Sequence, residues 1–166
     1  MARTALIVID MQRAFITSKA KHLPQKIKAH IERSNYDSII FSKFINAENS
    51  NFARKLDWHK CRKSPDIDIA PELSEIANRN HIFEKHTYSI FKAKGFVDFL
   101  RKNKISKLCL CGLDLDACIL ASAFEAFDLG FDCEVLFGLV GSSANADIHK
   151  SAERVIRKNL QQTPQH

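Results

Sequence analysis

Five short apolar runs alternate with stretches of helical spacing, and this alternation constrains the fold of the 166-residue chain more than any other feature. The runs are TALIVID (4–10), DSIIFSKFI (37–45), HIFEK (81–85), KLCLCG (107–112) and DCEVLF (132–137). Each is strand-length and bounded by polar residues, the pattern of a strand buried on both faces. Between them lie predicted helices. PQKIKAHIERS opens at Pro24 and sets Ile27 and Ile31 four apart, and PELSEIANR (71–79) also starts with proline, which the first helical turn accepts. GFVDFLRKN (95–103) places Phe96, Phe99 and Leu100 on one face, and DACILASAFEAFDLG (116–130) meets its stop at Gly130. ADIHKSAERVIRKNL (146–160) is a final amphipathic helix. Residues 46–70 are polar and show no period. Strands alternating with helices call for a parallel sheet covered on both faces. The length suits one domain over residues 1–166.

Composition removes several classes of function. Hydrophobic residues are 45% and charged residues 27%, which excludes a disordered or fibrous chain. No apolar stretch reaches the length of a membrane span. MARTALIVIDMQ is interrupted by Asp10 and carries no small-residue cleavage site, so no cleaved leader is expected. Five cysteines without framework spacing imply reduced thiols and a cytoplasmic location. The net charge of +6 concentrates in residues 19–33 and 54–63. No nucleic-acid motif accompanies it, so both stretches are read as solvated faces. The expected partner is a small molecule, with neither nucleic acid nor membrane, and no cofactor is expected.

In parallel sheets ligands bind beyond the carboxyl ends of the strands. Three residues stand there: Asp10 after the first strand, Lys85 at the end of the third, and Cys118 after the fourth. An ordinary thiol has a pKa of about 8.5 and is mostly protonated at neutral pH. A helix start and the Lys85 ammonium are expected to favour the Cys118 thiolate. A carboxylate at Asp10 can accept the thiol proton and return it to a leaving group. The N–H groups of the helix start can face an oxyanion. Together these are the parts for nucleophilic acyl transfer.

Three segments carry a family resemblance. ALIVIDMQRAF, FEKHTYSIF and LCGLDLDACILASAFEAFDLGF resemble the signature segments of the isochorismatase-like cysteine hydrolases, which include nicotinamidases and related amidases. The likeness covers residues 4 to 143. It implies an α/β, doubly wound three-layer sandwich with a mostly parallel five- or six-stranded sheet. The tail QQTPQH stops where many family members continue into another strand. The resemblance further implies a triad of Asp10 as base, Lys85 as charge partner and Cys118 as nucleophile. It implies a cis peptide at Leu113–Asp114 and an oxyanion hole made of the Asp114 and Cys118 N–H groups. Family habit implies a homo-oligomer, dimer or tetramer. The implied reaction is cleavage of an amide-type C–N bond through a thioester. A vinyl-ether hydrolase and a catalytically idle binding protein are the alternatives.

The chain also departs from the family pattern. Asp114 stands where a small residue is usual, Leu115 where a threonine is usual, and Gly138 where the family often has aspartate. Asp116 matches a common acid and is read as structural, capping the helix. Nicotinamidases bind a metal through a D-x-H motif directly after the second strand. Here Asp57 and His59 come well after Ile45, so a surface loop is expected there and no metal. Cys109 and Cys111 alternate with leucines and are expected on one buried face. Phe15, His86, Tyr88, Phe91 and Asp114 are candidate pocket residues, with Trp58 and Ser89 as further walls.

Overall fold

A computed structural model describes residues 2–160. The elements are β1 (Arg3–Ile9), α1 (Leu23–Arg33), β2 (Ser38–Phe44), α2 (Asn51–Leu56), α3 (Pro71–Asn78), β3 (His81–Lys85), α4 (Phe96–Lys102), β4 (Ile105–Gly112), α5 (Leu120–Asp128), β5 (Asp132–Val140) and α6 (Ala146–Asn159). The described sheet has five strands in the order β3-β2-β1-β4-β5, all parallel. The tail 161–166, on which a sixth strand was open, lies outside the described residues. Among the described residues no helix is long and apolar enough to cross a membrane.

The strand alternation divides the core in two. Ala5, Ile7, Ile9, Leu108 and Leu110 face one side, where Phe96 and Leu100 of α4, Ala123 and Ala126 of α5, and Ala152 and Ile156 of α6 cover them. Leu6, Val8, Cys109 and Cys111 face the other, under Leu23 and Ile27 of α1 and Leu73 and Ala77 of α3. The two cysteines thus share one buried face, as their spacing implies. Each fully buried side chain of this size stabilises the fold by about 1.5–3 kcal/mol relative to exposure.

The chain leaves β1 toward β2 and β3 but returns on its far side to form β4 and β5. A crevice therefore opens past the ends of β1 and β4. Gly112 closes β4 with φ +115°, and a Cβ there would stand 2.1 Å from the Ile9 carbonyl oxygen. Only glycine allows this approach. Leu113 N–H then donates to Ile9 O at 3.0 Å, so the loop after β4 is fixed against the end of β1.

Two elements differ from expectation. The stretch 46–70 contains α2, whose Ser50 cap accepts the Ala53 N–H at 3.1 Å. Six residues are too few to show a helical period. The helix expected from residue 116 begins instead with a π-helical turn, Leu115–Ile119. Gly130, with φ +81°, follows α5 as the expected stop.

Candidate active site

Asp10 follows β1 with φ +47°, a left-handed conformation that aspartate tolerates better than most residues. Ser42 on β2 holds it at two points: Asp10 N–H donates to Ser42 Oγ at 3.0 Å, and Ser42 Oγ donates to Asp10 Oδ1 at 2.6 Å. Both residues are buried. Ser42→Ala is expected to cost about 1–3 kcal/mol, because it strands a buried carboxylate oxygen and a buried N–H. Chemical denaturation of the two proteins checks this.

Lys85 ends β3, two strands from β1, and pairs in register with Phe44 on β2. Its side chain crosses the Phe44 ring at 5.1 Å from the centroid. The ammonium donates to Thr87 O at 2.9 Å, Tyr88 O at 3.0 Å and Cys118 Sγ at 3.4 Å. Asp10 Oδ2 lies 2.7 Å from the same nitrogen, with Lys85 only 1% exposed and Asp10 fully buried. This is a close, buried ion pair. Burial alone would lower the Lys85 pKa, but the Asp10 carboxylate and Cys118 raise it above the ordinary value.

Cys118 sits in the π-helical turn at 7% exposure. The Ala117 and Ile119 N–H groups both turn back to Asp114 O, at 3.2 and 3.1 Å. Lys85 favours the Cys118 thiolate in the expected direction, but two other influences oppose it. Burial pushes the Cys118 thiol well above its ordinary value, and the Asp10 carboxylate pushes it further, while Lys85 pulls the other way. Burial is the largest of these influences, and residue types at strand ends do not reveal it.

The peptide Leu113–Asp114 is cis. The Asp114 carboxylate accepts the Ser143 N–H at 2.9 Å and the Ser143 hydroxyl at 2.6 Å. Leu115 N–H donates to Gly141 O at 2.8 Å. The loop before Cys118 is thereby tied to the loop after β5. Asp116 does not cap the helix; its carboxylate accepts the Ser142 hydroxyl across the same junction.

A cavity of about 360 Å³ opens at Cys118. Phe15, Phe44, Phe52, Trp58 and Tyr88 wall it, and Asp114 and Ser143 border it. Phe15 and Trp58 stack at 5.7 Å, and Phe52 packs edge-on to Phe44 at 4.9 Å and to Tyr88 at 4.8 Å. Of the candidate pocket residues, Phe15, Tyr88 and Asp114 line this space, as does Trp58. Phe91 does not: it packs in the core against Phe96 and Phe131. Ser89 is buried and accepts the Phe91 N–H. His86 is exposed, bonded to Ile45 O at 2.7 Å, and lines a neighbouring cavity with Phe52, Leu56 and Tyr88. Gly138 lies within β5, and Leu115 is buried in the core.

Asp57 and His59 hydrogen-bond to each other at 2.8 Å with side chains 97% and 53% exposed, and Arg62 reaches the other ring nitrogen of His59 at 3.1 Å. Two exposed groups, one facing a guanidinium, do not fit a metal centre. Among the described residues no group of three or more His, Cys, Asp or Glu side chains is placed to hold one.

Two buried amides escaped the sequence reading. Gln12 donates to Phe44 O and Ile67 O at 2.9 and 3.1 Å and accepts the Phe44 N–H at 2.7 Å. Asn46 donates to Trp58 O and Lys60 O at 2.9 and 3.1 Å. Both shape the cavity wall from behind. Only their lying just past an apolar strand signals them.

A doubly wound parallel sheet with an acid, a cation and a thiol joined at its switch point defines a class of sites suited to acyl transfer. The chain belongs to the isochorismatase family: the isochorismatase domain matches residues 4–163. Among solved structures it is similar to a nicotinamidase from Bacillus subtilis, with TM-score 0.84 and 22% identity, covering 96% of this chain and 97% of that one. It is also similar to the N-carbamoylsarcosine amidase of Thermoplasma acidophilum, with TM-score 0.80 and 24% identity over 93% and 92% of the two chains. An isochorismatase-like hydrolase from Alkaliphilus metalliredigens gives TM-score 0.83 at 19% identity over 95% and 92%. A search of curated proteins finds no match.

Proposed function

We propose that the protein is a cysteine hydrolase that cleaves a small carboxamide. One observation carries this reading. Lys85 joins the acid to the thiol: its ammonium lies 2.7 Å from Asp10 Oδ2 and donates to Cys118 Sγ at 3.4 Å, so one buried cation holds both at the cavity. This juxtaposition suits proton transfer from the thiol to Asp10. In the proposed reaction Asp10 accepts the proton while Sγ bonds to the carbonyl carbon. The Asp114 and Cys118 N–H groups hold the oxyanion. As the C–N bond breaks, Asp10 gives the proton to the departing nitrogen. Water then attacks the thioester, its proton passes to Asp10, and the C–S bond breaks to release the acid and restore the thiol. Lys85 keeps Asp10 and the attacking sulfur in register and offsets the charge on each. The vinyl-ether alternative would give this thiol no such task.

The test is ammonia release from a panel of small carboxamides, with Asp10→Asn beside the wild type. Removing the carboxylate lowers the Cys118 pKa, because Lys85 then acts unopposed. Alkylation of Cys118 by iodoacetamide at neutral pH is therefore expected to rise in Asp10→Asn, while ammonia release falls by about a hundredfold or more for want of the base. If alkylation and ammonia release fall together, Asp10 is not the base.

A further inference from the structure

Asp10 has Lys85 as its counter-charge, but Asp114 has no ion-pair partner among the described residues. Ser143 fixes both its oxygens with one hydrogen bond each, which leaves lone pairs on both. Asp116 and Asp10 are acids that act on Asp114. Burial and those acids push its pKa up, and the two Ser143 hydrogen bonds oppose this. Lys60, the other charged residue on the cavity lining besides the site itself, is exposed and on a flexible stem.

The cavity that this carboxylate borders is walled in large part by aromatic side chains. Phe44 already carries the Lys85 ammonium on its ring. Phe15, Trp58, Phe52 and Tyr88 remain, and aromatic faces attract cations most strongly where water is excluded. A neutral aromatic amide would use the walls but leave the carboxylate unmatched, and an anionic amide would be repelled by it.

We propose that Asp114 determines specificity and that the substrate is a small amide bearing a positive charge, a quaternary or protonated amine, on the side away from the scissile nitrogen. The proposal rests on the amidase reading for the bond cleaved, but its test does not need turnover.

The probes are trimethylammonioacetamide and its neutral isostere tert-butylacetamide, which differ in charge and hardly in shape, with succinamate as the anionic control. Each is titrated as a protectant of Cys118 against iodoacetamide, and protection is expressed relative to the same protein's unprotected rate. In the wild type the cation is expected to protect at roughly a tenfold lower concentration than the isostere, with succinamate weakest. In Asp114→Asn, which keeps the shape of the side chain, that preference is expected to shrink to about threefold or less, what the aromatic walls alone supply. Equal protection by the two isosteres in the wild type, or stronger protection by succinamate, overturns the assignment whether or not the variant folds. A cation preference that Asp114→Asn retains in full also overturns the role of Asp114. Ammonia release from the same amides is scored separately. Cation-selective protection without ammonia from any amide removes the amidase reading and leaves the pocket assignment standing, whereas equal turnover of both isosteres does the reverse.

Discussion

Replacing Cys118 by alanine is expected to lower carboxamide hydrolysis by about ten-thousandfold or more while the chain still folds. The magnitude follows from removing the atom that forms the covalent bond, which in triad enzymes leaves only binding and oxyanion stabilisation. The fold survives because the thiol is small and alanine leaves no charge behind. Lys85 loses one of its four polar partners but keeps Thr87 O, Tyr88 O and the Asp10 carboxylate. The stability cost is expected to stay within about 2 kcal/mol. Steady-state ammonia release and a urea transition measured on the same preparation check both halves. Activity within about tenfold of the wild type would place the nucleophile elsewhere, since general acid–base help alone supplies more than that.

The second large effect concerns Lys85. Lys85→Met is expected to destabilise the protein by about 3–5 kcal/mol, because it leaves the buried Asp10 carboxylate without its counter-charge. Methionine fills much of the lysine stem, so the loss is electrostatic rather than a cavity. Adding Asp10→Asn to Lys85→Met is expected to recover part of that cost, since no unpaired charge then remains. The sign with pH is fixed. The folded-state pKa of Lys85 is raised, so its stabilisation is fully present below the unfolded value of about 10.4. It is lost only as pH rises through the higher folded value. The stability gap between wild type and Lys85→Met is therefore expected to close in strongly alkaline solution, as Lys85 loses its proton. A gap that stays open there would mean that Lys85 does not act on Asp10 through its charge. Alkylation of Cys118 is expected to slow in this variant, since the ammonium that lowers the thiol pKa is gone.

The sheet was legible because its signal is local. Strand-length apolar runs and flanking Pro24, Pro71 and Gly130 mark most of the elements, and the rule that sites lie past strand ends brings Asp10, Lys85 and Cys118 to one edge. Properties that depend on depth were not legible. The ionisation of Cys118 turns on burial, which neither its neighbours in sequence nor its place after β4 discloses. Phe91 and His86 lie near Lys85 in sequence, yet one turns into the core and the other toward a neighbouring cavity. Trp58 reaches the cavity from a stretch without period, placed there by Asn46 holding its carbonyl. Asp116, which matches a common acid of the family, is read in the sequence as a helix cap, but a π-helical turn stands there and a serine from another loop takes its carboxylate.

The two buried amides have a consequence for how such a protein changes over time. Gln12 ties Phe44 to Ile67, and Asn46 gathers Trp58 and Lys60, so the segment from 46 to 67 is gripped at its base by residues outside the reacting groups. That segment contributes Phe52, Leu56, Trp58 and Lys60 to the cavity, whereas Asp10, Lys85 and Cys118 come from strand ends. Part of the selectivity is thus written in a different part of the chain from the chemistry. Insertions, deletions or wholesale exchange of the gripped loop can retune what enters while the bond-breaking apparatus is inherited intact.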